Sequence, residues 1–353
     1  MPTDPHNPLG LDGFAFVEFT SPNAALMKSQ LEQFGFVAAA RKSEQGLTLY
    51  RQGRINFILN EVSHGQAADF WALHGPSACG MAFRVADAAE ACAFAISQGA
   101  RAVDASRGIL GASASVIEGI GGLYLYLVDS DPFADWETVP GWEAAAERES
   151  VGLDLLDHLT HNVMRGQMRT WSGFYSRIFG FQEQKYFDIK GQATGLFSQA
   201  MIAPDGAIRI PLNESQDDKS QIEEYLRQYN GEGIQHLALS TGDIFDTIEK
   251  LRARGVALQD TIETYYELVD KRVPGHGEDL ERLKRNRILI DGDVTSEGIL
   301  LQIFSENLFG PIFFEIIQRK GNEGFGNGNF QALFESIELD QIRRGVISVP
   351  AIA

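Results

Sequence analysis

The sequence predicts an α+β fold made of two copies of one module. Blocks of similar sequence recur along the chain: residues 34–36 (Phe-Gly-Phe) return as residues 179–181, and residues 79–83 resemble residues 235–239. Apolar runs of strand length alternate with stretches of helical spacing. A chain of 353 residues is also long enough for two ordinary domains. Each half is therefore predicted to consist of about two βαβββ units.

The two halves are predicted as two domains. Residues 1–150 form the first, which ends in a linker over residues 131–150 where the hydrophobic periodicity weakens and Trp136 and Trp142 are expected to pack against a neighbour. Residues 151–353 form the second, which carries extra residues between the repeated blocks.

The first half begins with an apolar strand over residues 14–19. Residues 21–23 (Ser-Pro-Asn) follow and supply a cap and a proline suited to the first turn of a helix. Gly35 ends this helix, because glycine adopts the left-handed C′ conformation at little cost. Another helix begins at Asp87, which stands three residues before Glu90 in a capping arrangement. The remaining strands of this half are predicted over residues 47–50, 55–60 and 123–128.

The second half repeats this order. A strand over residues 155–163 precedes a helix that Gly180 ends, and a later helix begins at Asp243. Residues 321–329 are rich in glycine and asparagine and predict a turn, after which Asn329 caps an amphipathic C-terminal helix. The other strands of this half are predicted over residues 207–212, 299–304 and 312–319.

The composition indicates a globular protein of the cytoplasm. Its net charge of −18 argues against nucleic acid or an anionic membrane as a partner, since both require clustered Lys and Arg. Two cysteines, Cys79 and Cys92, are too few for a disulfide framework. No apolar run reaches the length of a membrane span, and the N-terminus has no signal-peptide segment.

A carboxylate in an apolar strand indicates metal chemistry. Glu315 lies in the middle of the strand predicted over residues 312–319, with no Lys or Arg within three positions. Burying an unpaired carboxylate is unfavourable, so this side chain requires a cation, a metal ion or a strong hydrogen-bond partner. His158 and His236 lie in two other strand-like runs. Two histidines and one carboxylate are the ligand set of non-haem Fe(II) oxygenases, although Mn(II), Co(II) or Zn(II) would also bind such a set.

The internal repeat favours these histidines as ligands. It aligns His158 with Gly13 and His236 with Gly80, so the first half lacks both imidazoles. Each histidine alone would be more simply explained as a core residue, and Glu315 could instead pair with a distant Arg or Lys. His161 is not expected in the set, because an odd separation along a strand places it on the opposite face from His158.

Polar and aromatic residues in the same strands predict a cavity. Polar side chains inside apolar runs either face a ligand, satisfy buried backbone or hold a metal-bound imidazole. Aromatic side chains stack on an aromatic ligand or simply fill the core. The polar candidates are Ser198, Asn213, Gln235 and Gln302, and the aromatic candidates are Phe304, Phe313, Phe325 and Phe330.

Taken together, these motifs resemble the 4-hydroxyphenylpyruvate dioxygenase family. The resemblance covers essentially the whole chain, and its most specific motifs are residues 157–163, 233–236, 301–304, 314–319 and 324–330. It implies the vicinal oxygen chelate, or glyoxalase-like, fold: two open β-barrels, each from paired βαβββ modules, with metal in the C-terminal barrel only.

The resemblance also implies roles for individual residues. Fe(II) would be bound by His158, His236 and Glu315, and the helix after Asn329 would form a lid. Catalytic polar side chains of the substrate pocket would be Ser198, Asn213, Gln221, Gln235 and Gln302. Substrate contacts would come from Phe304, Phe313, Phe325, Asn329 and Phe330.

The expected reaction converts 4-hydroxyphenylpyruvate and O2 to homogentisate and CO2, a step of tyrosine and phenylalanine breakdown, in a homodimer or homotetramer. Hydroxymandelate synthase is the nearest alternative, because it uses the same substrate and iron; Asn213 and Phe330 favour the dioxygenase. The same fold and ligand set would also suit an extradiol catechol dioxygenase or a non-catalytic, metal-bearing sequestration protein.

Overall fold

The computed structural model describes residues 6–21, 23–190, 195–326, 328–329 and 332, and its strands form two eight-stranded mixed sheets. No helix in these ranges is long and apolar enough to span a membrane. The strands are β1 Phe14–Thr20, β2 Val37–Lys42, β3 Leu47–Gln52, β4 Ile55–Asn60, β5 Ser77–Arg84, β6 Ser115–Glu118, β7 Tyr124–Val128, β8 Glu137–Thr138, β9 Leu153–Val163, β10 Gln182–Lys190, β11 Gly195–Ile202, β12 Arg209–Ser215, β13 Gly233–Thr241, β14 Leu289–Asp293, β15 Gly298–Phe304 and β16 Phe313–Lys320. The helices are α1 Ala24–Gln33, α2 Gly65–His74, α3 Ala88–Ser97, α4 Trp142–Glu149, α5 Met168–Phe179, α6 Gln221–Tyr229, α7 Ile244–Ala253, α8 Glu263–Glu267, α9 Val269–Arg272 and α10 Leu280–Asn286.

Seven consecutive strands of each sheet follow one order, which confirms the predicted duplication, and β8 and β14 are the strands without a counterpart. The first runs β8-β2-β3-β4-β1-β5-β7-β6 and the second runs β10-β11-β12-β9-β13-β16-β15-β14. The parallel pairs β1–β4 and β5–β7 correspond to β9–β12 and β13–β16. The first and last strands of each sheet do not pair with each other, so each sheet is an open barrel, as expected from the resemblance.

One apolar core joins the two halves. The ring of Phe314 on β16 lies 5.0 Å from that of Phe34 and 5.7 Å from that of Phe57, and Phe309 lies 4.9 Å from Phe19. Burial of these large rings from both halves stabilises each sheet against the other. The division into domains at residue 150 stays a prediction.

Part of the predicted linker extends the first sheet. β8 pairs antiparallel with β2, and Trp136 is buried with its ring 5.3 Å from that of Phe133. Trp136 therefore packs as expected, and Arg51 lies over the ring of Trp142 at 5.6 Å.

The helix ends follow their sequence signals. Asn23, Asp87 and Asp243 are N-caps whose side chains accept a backbone N–H from the first turn. Gly180 ends α5 in the left-handed conformation with φ 72°. The helix expected after Asn329 falls almost entirely outside the described residues and stays a prediction.

A β-bulge lies at each of the two histidines predicted as ligands. On β9, His158 pairs with Ala238 of β13 but Leu156 pairs with Leu239, so Asp157 is an extra residue. On β13, Gln235 is extra in the same way, since Ile234 pairs with His161 and His236 pairs with Thr160. A bulge re-aims side chains locally, so the residue before each histidine is turned toward that histidine's neighbourhood.

The strand register corrects the alignment of His158 with Gly13. In the first sheet Ala82 takes the place of Ala238, as the repeat predicts, and Ala82 pairs with Phe16. Phe16 therefore stands where His158 stands, and the alignment with Gly13 is wrong by three residues. The matching Leu-Asp letters before Gly13 and His158 are a coincidence of short motifs.

Aromatic rings fill the first sheet where the second sheet has the predicted ligands. Tyr126 pairs with Ala82 as Glu315 pairs with Ala238, and its ring lies 5.5 Å from that of Phe16. A Cβ atom added at Gly80, the counterpart of His236, would lie 2.8 Å from Oε2 of Glu18. At these counterpart positions the first barrel therefore has neither the candidate ligands nor the space for them.

Glu18 is a buried carboxyl group in this filled interior. Its side chain is 1% exposed, and its Oε1 accepts a hydrogen bond of 2.7 Å from Asn60 Nδ2. Burial outweighs the hydrogen bonds from Asn60, Cys79 and Tyr126 and raises the pKa of Glu18 from 4.5 to about 7. The folded state therefore binds a proton that the unfolded state releases at lower pH.

We predict that Glu18→Gln makes the protein less sensitive to pH between 4.5 and 7. A raised carboxyl pKa gives stability that is fully present below pH 4.5 and is lost as pH rises to about 7. Relative to wild type, the variant should gain about 3 kcal/mol of unfolding free energy across this window, measured by urea titration. Glu147→Gln, on the surface of α4, is the control. Parallel pH profiles for wild type and Glu18→Gln would contradict the prediction.

Candidate metal centre

Three neighbouring strands bring the predicted ligands together. His158 on β9 and Glu315 on β16 both pair with Ala238 on β13, so they flank this residue on one face of the sheet. His236 lies two residues before Ala238 and therefore on the same face. The small side chain of Ala238, 0% exposed, leaves the space between the three open.

The ligand atoms converge on one point. Oε2 of Glu315 lies 3.3 Å from Nε2 of His158 and 3.4 Å from Nε2 of His236. The three groups offer ligand atoms within 4.8 Å of one another, and they are the one such cluster among the described residues. Two imidazole nitrogens and one carboxylate oxygen, without thiolate, suit a divalent transition-metal ion with open coordination positions. The residues present therefore fit a metal ion.

The two bulge residues orient the imidazoles. The Nδ1–H of His158 donates to Oδ1 of Asp157 at 2.9 Å, and the Nδ1–H of His236 donates to Oε1 of Gln235 at 2.9 Å. A proton held at Nδ1 leaves the lone pair of Nε2 free, which is the arrangement a metal-binding histidine requires. Gln235 therefore contacts the imidazole of a candidate ligand, one of the arrangements that the sequence left open.

The electrostatics keep the carboxylate charged. Burial raises the pKa of Glu315, but the two imidazoles outweigh it and bring the pKa to about 2. For His158 burial lowers the pKa, and Glu315 and Asp157 outweigh this and raise it; for His236 burial prevails and the pKa is lowered. Among the described residues Glu315 has ion pairs with imidazoles and none with Lys or Arg. A distant Lys or Arg partner for Glu315 therefore has no support in this part of the chain.

A cavity of about 510 Å³ opens above the three groups. This volume lies in the range of small-molecule sites. The cavity is lined by every predicted site residue that the structure describes, which are His158, His236, Glu315, Ser198, Asn213, Gln221, Gln235, Gln302, Phe304, Phe313, Phe325 and Asn329. Phe330 lies outside the described residues, so its predicted substrate contact stays a prediction.

The aromatic and polar side chains occupy different walls. Phe313 stacks on His236 with ring centroids 5.0 Å apart, and Phe304 lies 6.0 Å from Phe313. Ser198 and Asn213 are partners on β11 and β12 and form part of a polar wall. Gln221 opens α6 and is exposed at the edge of the cavity.

A hydrogen-bond chain leads from Glu315 to Asn329. Gln302 Nε2 donates to Oε1 of Glu315 at 3.1 Å, and Asn329 Nδ2 donates to Oε1 of Gln302 at 2.8 Å. The hydroxyl of Tyr265 donates to Oδ1 of Asn329 at 2.6 Å. Gly326 packs directly on Gln302, since a Cβ atom there would lie 1.5 Å from its Oε1. Gly326 and Asn329 are thereby fixed against the candidate ligand.

His161 takes no part in the cluster. Its Nε2 lies 2.8 Å from the hydroxyl of Tyr175 on α5, and burial lowers its pKa to about 3. It faces away from the cavity, as strand alternation predicts.

Asp157 and Arg319 are the main residues that the sequence reasoning missed. Arg319 lies four positions after Glu315 but pairs with Asp157, at 2.8 and 2.7 Å. The Asp-His dipeptide was the signal for Asp157, because metal-bound histidines usually donate to a carboxylate. Nothing in the spacing of Arg319 reveals its partner 162 positions away in the chain.

We predict that Glu315→Gln loses metal affinity while the fold persists. The amide keeps the shape but removes the charge that a divalent ion requires. The Kd for Co(II) should therefore rise by more than the ~10–100-fold that is typical when a hydrogen-bond partner of a metal ligand is removed. Titration of the apo-protein by calorimetry measures this. His64→Gln, at an exposed histidine before α2, is the matched control and should bind like wild type. Unchanged affinity of Glu315→Gln would exclude this carboxylate as a ligand.

Comparison with known proteins agrees with this geometry. The hydroxyphenylpyruvate dioxygenase N-terminal family matches residues 5–139, and the glyoxalase/bleomycin resistance protein/dioxygenase superfamily matches residues 155–268. The chain is 55% identical to a 4-hydroxyphenylpyruvate dioxygenase of Pseudomonas aeruginosa, over 97% of this chain and 98% of that protein. It is 54% identical to hemolysin VllY of Vibrio vulnificus, over 98% of this chain and 99% of that protein.

A solved structure shows the same fold. A mutant of 4-hydroxymandelate synthase from Streptomyces coelicolor superposes with a TM-score of 0.81 at 27% identity, covering 94% of this chain and 100% of that chain. The identity over nearly full length is twice as high with the dioxygenase as with the synthase. The chain belongs to the 4-hydroxyphenylpyruvate dioxygenase family.

Proposed function

We propose that this chain converts 4-hydroxyphenylpyruvate and O2 to homogentisate and CO2, with Fe(II) held by His158, His236 and Glu315. The observation that carries the proposal is the convergence of two Nε2 atoms and one carboxylate oxygen at the base of a cavity in a member of this family. The substrate's carboxylate leaves as CO2, and one oxygen atom of O2 enters the new carboxyl group formed at the keto carbon. The other oxygen atom hydroxylates the ring carbon that bears the side chain, and the side chain migrates to the neighbouring carbon, so all atoms of both substrates are accounted for.

Fe(II) in this site would bind the 2-oxo acid group and activate O2. Glu315 contributes one negative charge toward a divalent ion. The carboxylate of a 2-oxo acid supplies the second, so the filled site is neutral. This balance favours a monoanionic substrate in a buried place where an unpaired charge would be costly.

The aromatic wall orients the ring of the substrate. Phe313 and Phe304 stand beside His236, and Phe325 lies 5.2 Å from the ring of His158. A phenyl ring placed among them would have its side chain directed at the metal ligands. Such placement supplies proximity and excludes water from the reacting atoms.

The polar wall suits the phenol end of the substrate. Ser198 and Asn213 lie side by side on β11 and β12, and Gln221 lies at the adjacent start of α6. Hydroxyl and amide groups both donate and accept hydrogen bonds, so they suit a neutral phenol. A substrate lacking the 4-hydroxyl would leave these groups unpaired.

The test is O2 uptake after anaerobic loading with Fe(II), with the products separated by chromatography. We expect homogentisate and CO2 in equal amounts with 4-hydroxyphenylpyruvate. His236→Ala should abolish uptake, whereas His64→Gln should not change it. Hydroxymandelate would place the chain with the synthase, and bound iron without O2 uptake would favour a sequestration protein.

We predict that a chain ending at Gly328 folds but turns over poorly, because Asn329 and the proposed lid helix are removed. Circular dichroism should report a cooperatively folded chain that lacks only the signal of the removed helix, and O2 uptake should fall. Turnover equal to wild type would refute the lid. The homo-oligomeric state and the cytoplasmic location also stay predictions, which sedimentation and cell fractionation can test.

A further inference from the structure

Arg319 forms a junction behind the candidate metal centre. Its Nε and Nη2 donate to the two carboxylate oxygens of Asp157, at 2.8 and 2.7 Å. Both side chains are largely buried, at 12% and 4% exposed. Oδ1 of Asp157 also accepts the Nδ1–H of His158, so Asp157 connects the guanidinium group to a candidate ligand. A bidentate contact of this kind fixes both partners in orientation.

The other edge of the guanidinium binds the segment of residues 322–326. Nη1 donates to the backbone carbonyls of Asn322 and Gly324, at 3.0 and 2.6 Å. The amide N–H of Gly324 in turn donates to Oδ1 of Asn322 at 2.7 Å. Arginine has donors in a planar fork and can satisfy a carboxylate and two carbonyls at once, which an ammonium group cannot do.

A second arginine secures the same segment. Nη2 of Arg209, on β12, lies 2.6 Å from Oε2 of Glu323, and its Nη1 lies 3.9 Å from Oδ2 of Asp157. Gln184 Nε2 donates to the carbonyl of Glu323 at 3.3 Å. Side chains from the three strands β16, β12 and β10 therefore contact this short segment, and the two arginines among them also lie beside the carboxylate of Asp157.

The segment of residues 322–326 also lines the cavity. Phe325 packs edge-on against His158, with ring centroids 5.2 Å apart, and Arg319 lies 5.7 Å from the centroid of Phe325. Gly326 follows and contacts Gln302. The position of His158 is thus set from two sides, by Asp157 at Nδ1 and by Phe325 at the ring, and Arg319 contacts both.

We propose that Arg319 is a positioning residue that ties the placement of residues 322–326 to the orientation of His158. Metal binding then orders this segment, and an ordered segment holds the ligand in place. Coupling of this kind is reciprocal, so the factor by which metal protects the segment equals the factor by which the ordered segment raises metal affinity. The inference rests on the metal site proposed above but not on the identity of the substrate.

The test measures backbone hydrogen exchange across residues 321–326 in the full-length protein, without and with Co(II) alone. In wild type, Co(II) should slow exchange there about five-fold or more, the lower range of measured couplings. In Arg319→Gln this protection should disappear, and the Kd for Co(II) should rise by a similar factor. Arg319→Lys keeps a cation beside Asp157 but has no planar fork for the two carbonyls, so it should lose the protection and the Co(II) affinity together, as Arg319→Gln does.

A matched control is Arg282→Gln, which removes another bidentate pair, with Glu249 at 2.9 and 3.1 Å, outside the site. It should change neither exchange in the segment nor Co(II) affinity. If Arg319→Gln does not fold, Asp157→Asn serves instead, because it removes the charge shared by His158 and Arg319; its segment should become insensitive to Co(II). Equal protection by Co(II) in wild type and in these variants would overturn the proposal, as would Co(II) bound to wild type without protection. Because no substrate is used, failure of the proposed reaction would not be mistaken for failure of this coupling.

Discussion

The arrangement of the second half depends on one buried carboxylate. Glu315 is 2% exposed and faces two imidazoles rather than a Lys or Arg among the described residues. A buried carboxylate destabilises a fold unless a positive charge lies beside it. The two histidines supply this charge only in part, because the pKa is raised for His158 but lowered for His236. A divalent ion held here, as proposed above, would supply the missing positive charge, so the same point would serve both stability and chemistry. The neighbouring alanine, the two bulges and Gln302 all serve the geometry of this carboxylate.

Duplication explains how the fold could acquire such a site without a new backbone. The bulge before Phe16 corresponds to that before His158, and the bulge before Gly80 corresponds to that before His236. In the first half the extra residues are Ala15 and Cys79, which cannot orient an imidazole as Asp157 and Gln235 do. The same bulged strands therefore support a packed core in one half and a candidate ligand set in the other. A bulge sets the direction of a side chain, and the identity of the residue sets its chemistry.

The support around the ligands comes from distant parts of the chain. His158 is held through Asp157 and Arg319, and Glu315 through Gln302 and Asn329. Both routes end in residues 322–326 and 328–329, which also supply Phe325 to the cavity wall. A site whose ligands share this stretch is expected to respond to it as a unit, so that removing one contact affects others.

The sequence by itself determined the duplicated α+β fold, the helix caps, the candidate ligands and the residues that line the cavity, because periodicity, capping signals and a carboxylate in an apolar strand are local properties. The sequence did not determine the strand register. A short matching motif aligned Gly13 with His158, although strand pairing places Phe16 at the position equivalent to His158. Only the tertiary structure decided that Gln235 supports His236, that Glu18 is a buried group with a raised pKa, and that Arg319 meets Asp157. These depend on bulges and on strands far apart in sequence, and no local pattern encodes which residues a folded sheet brings within hydrogen-bond distance.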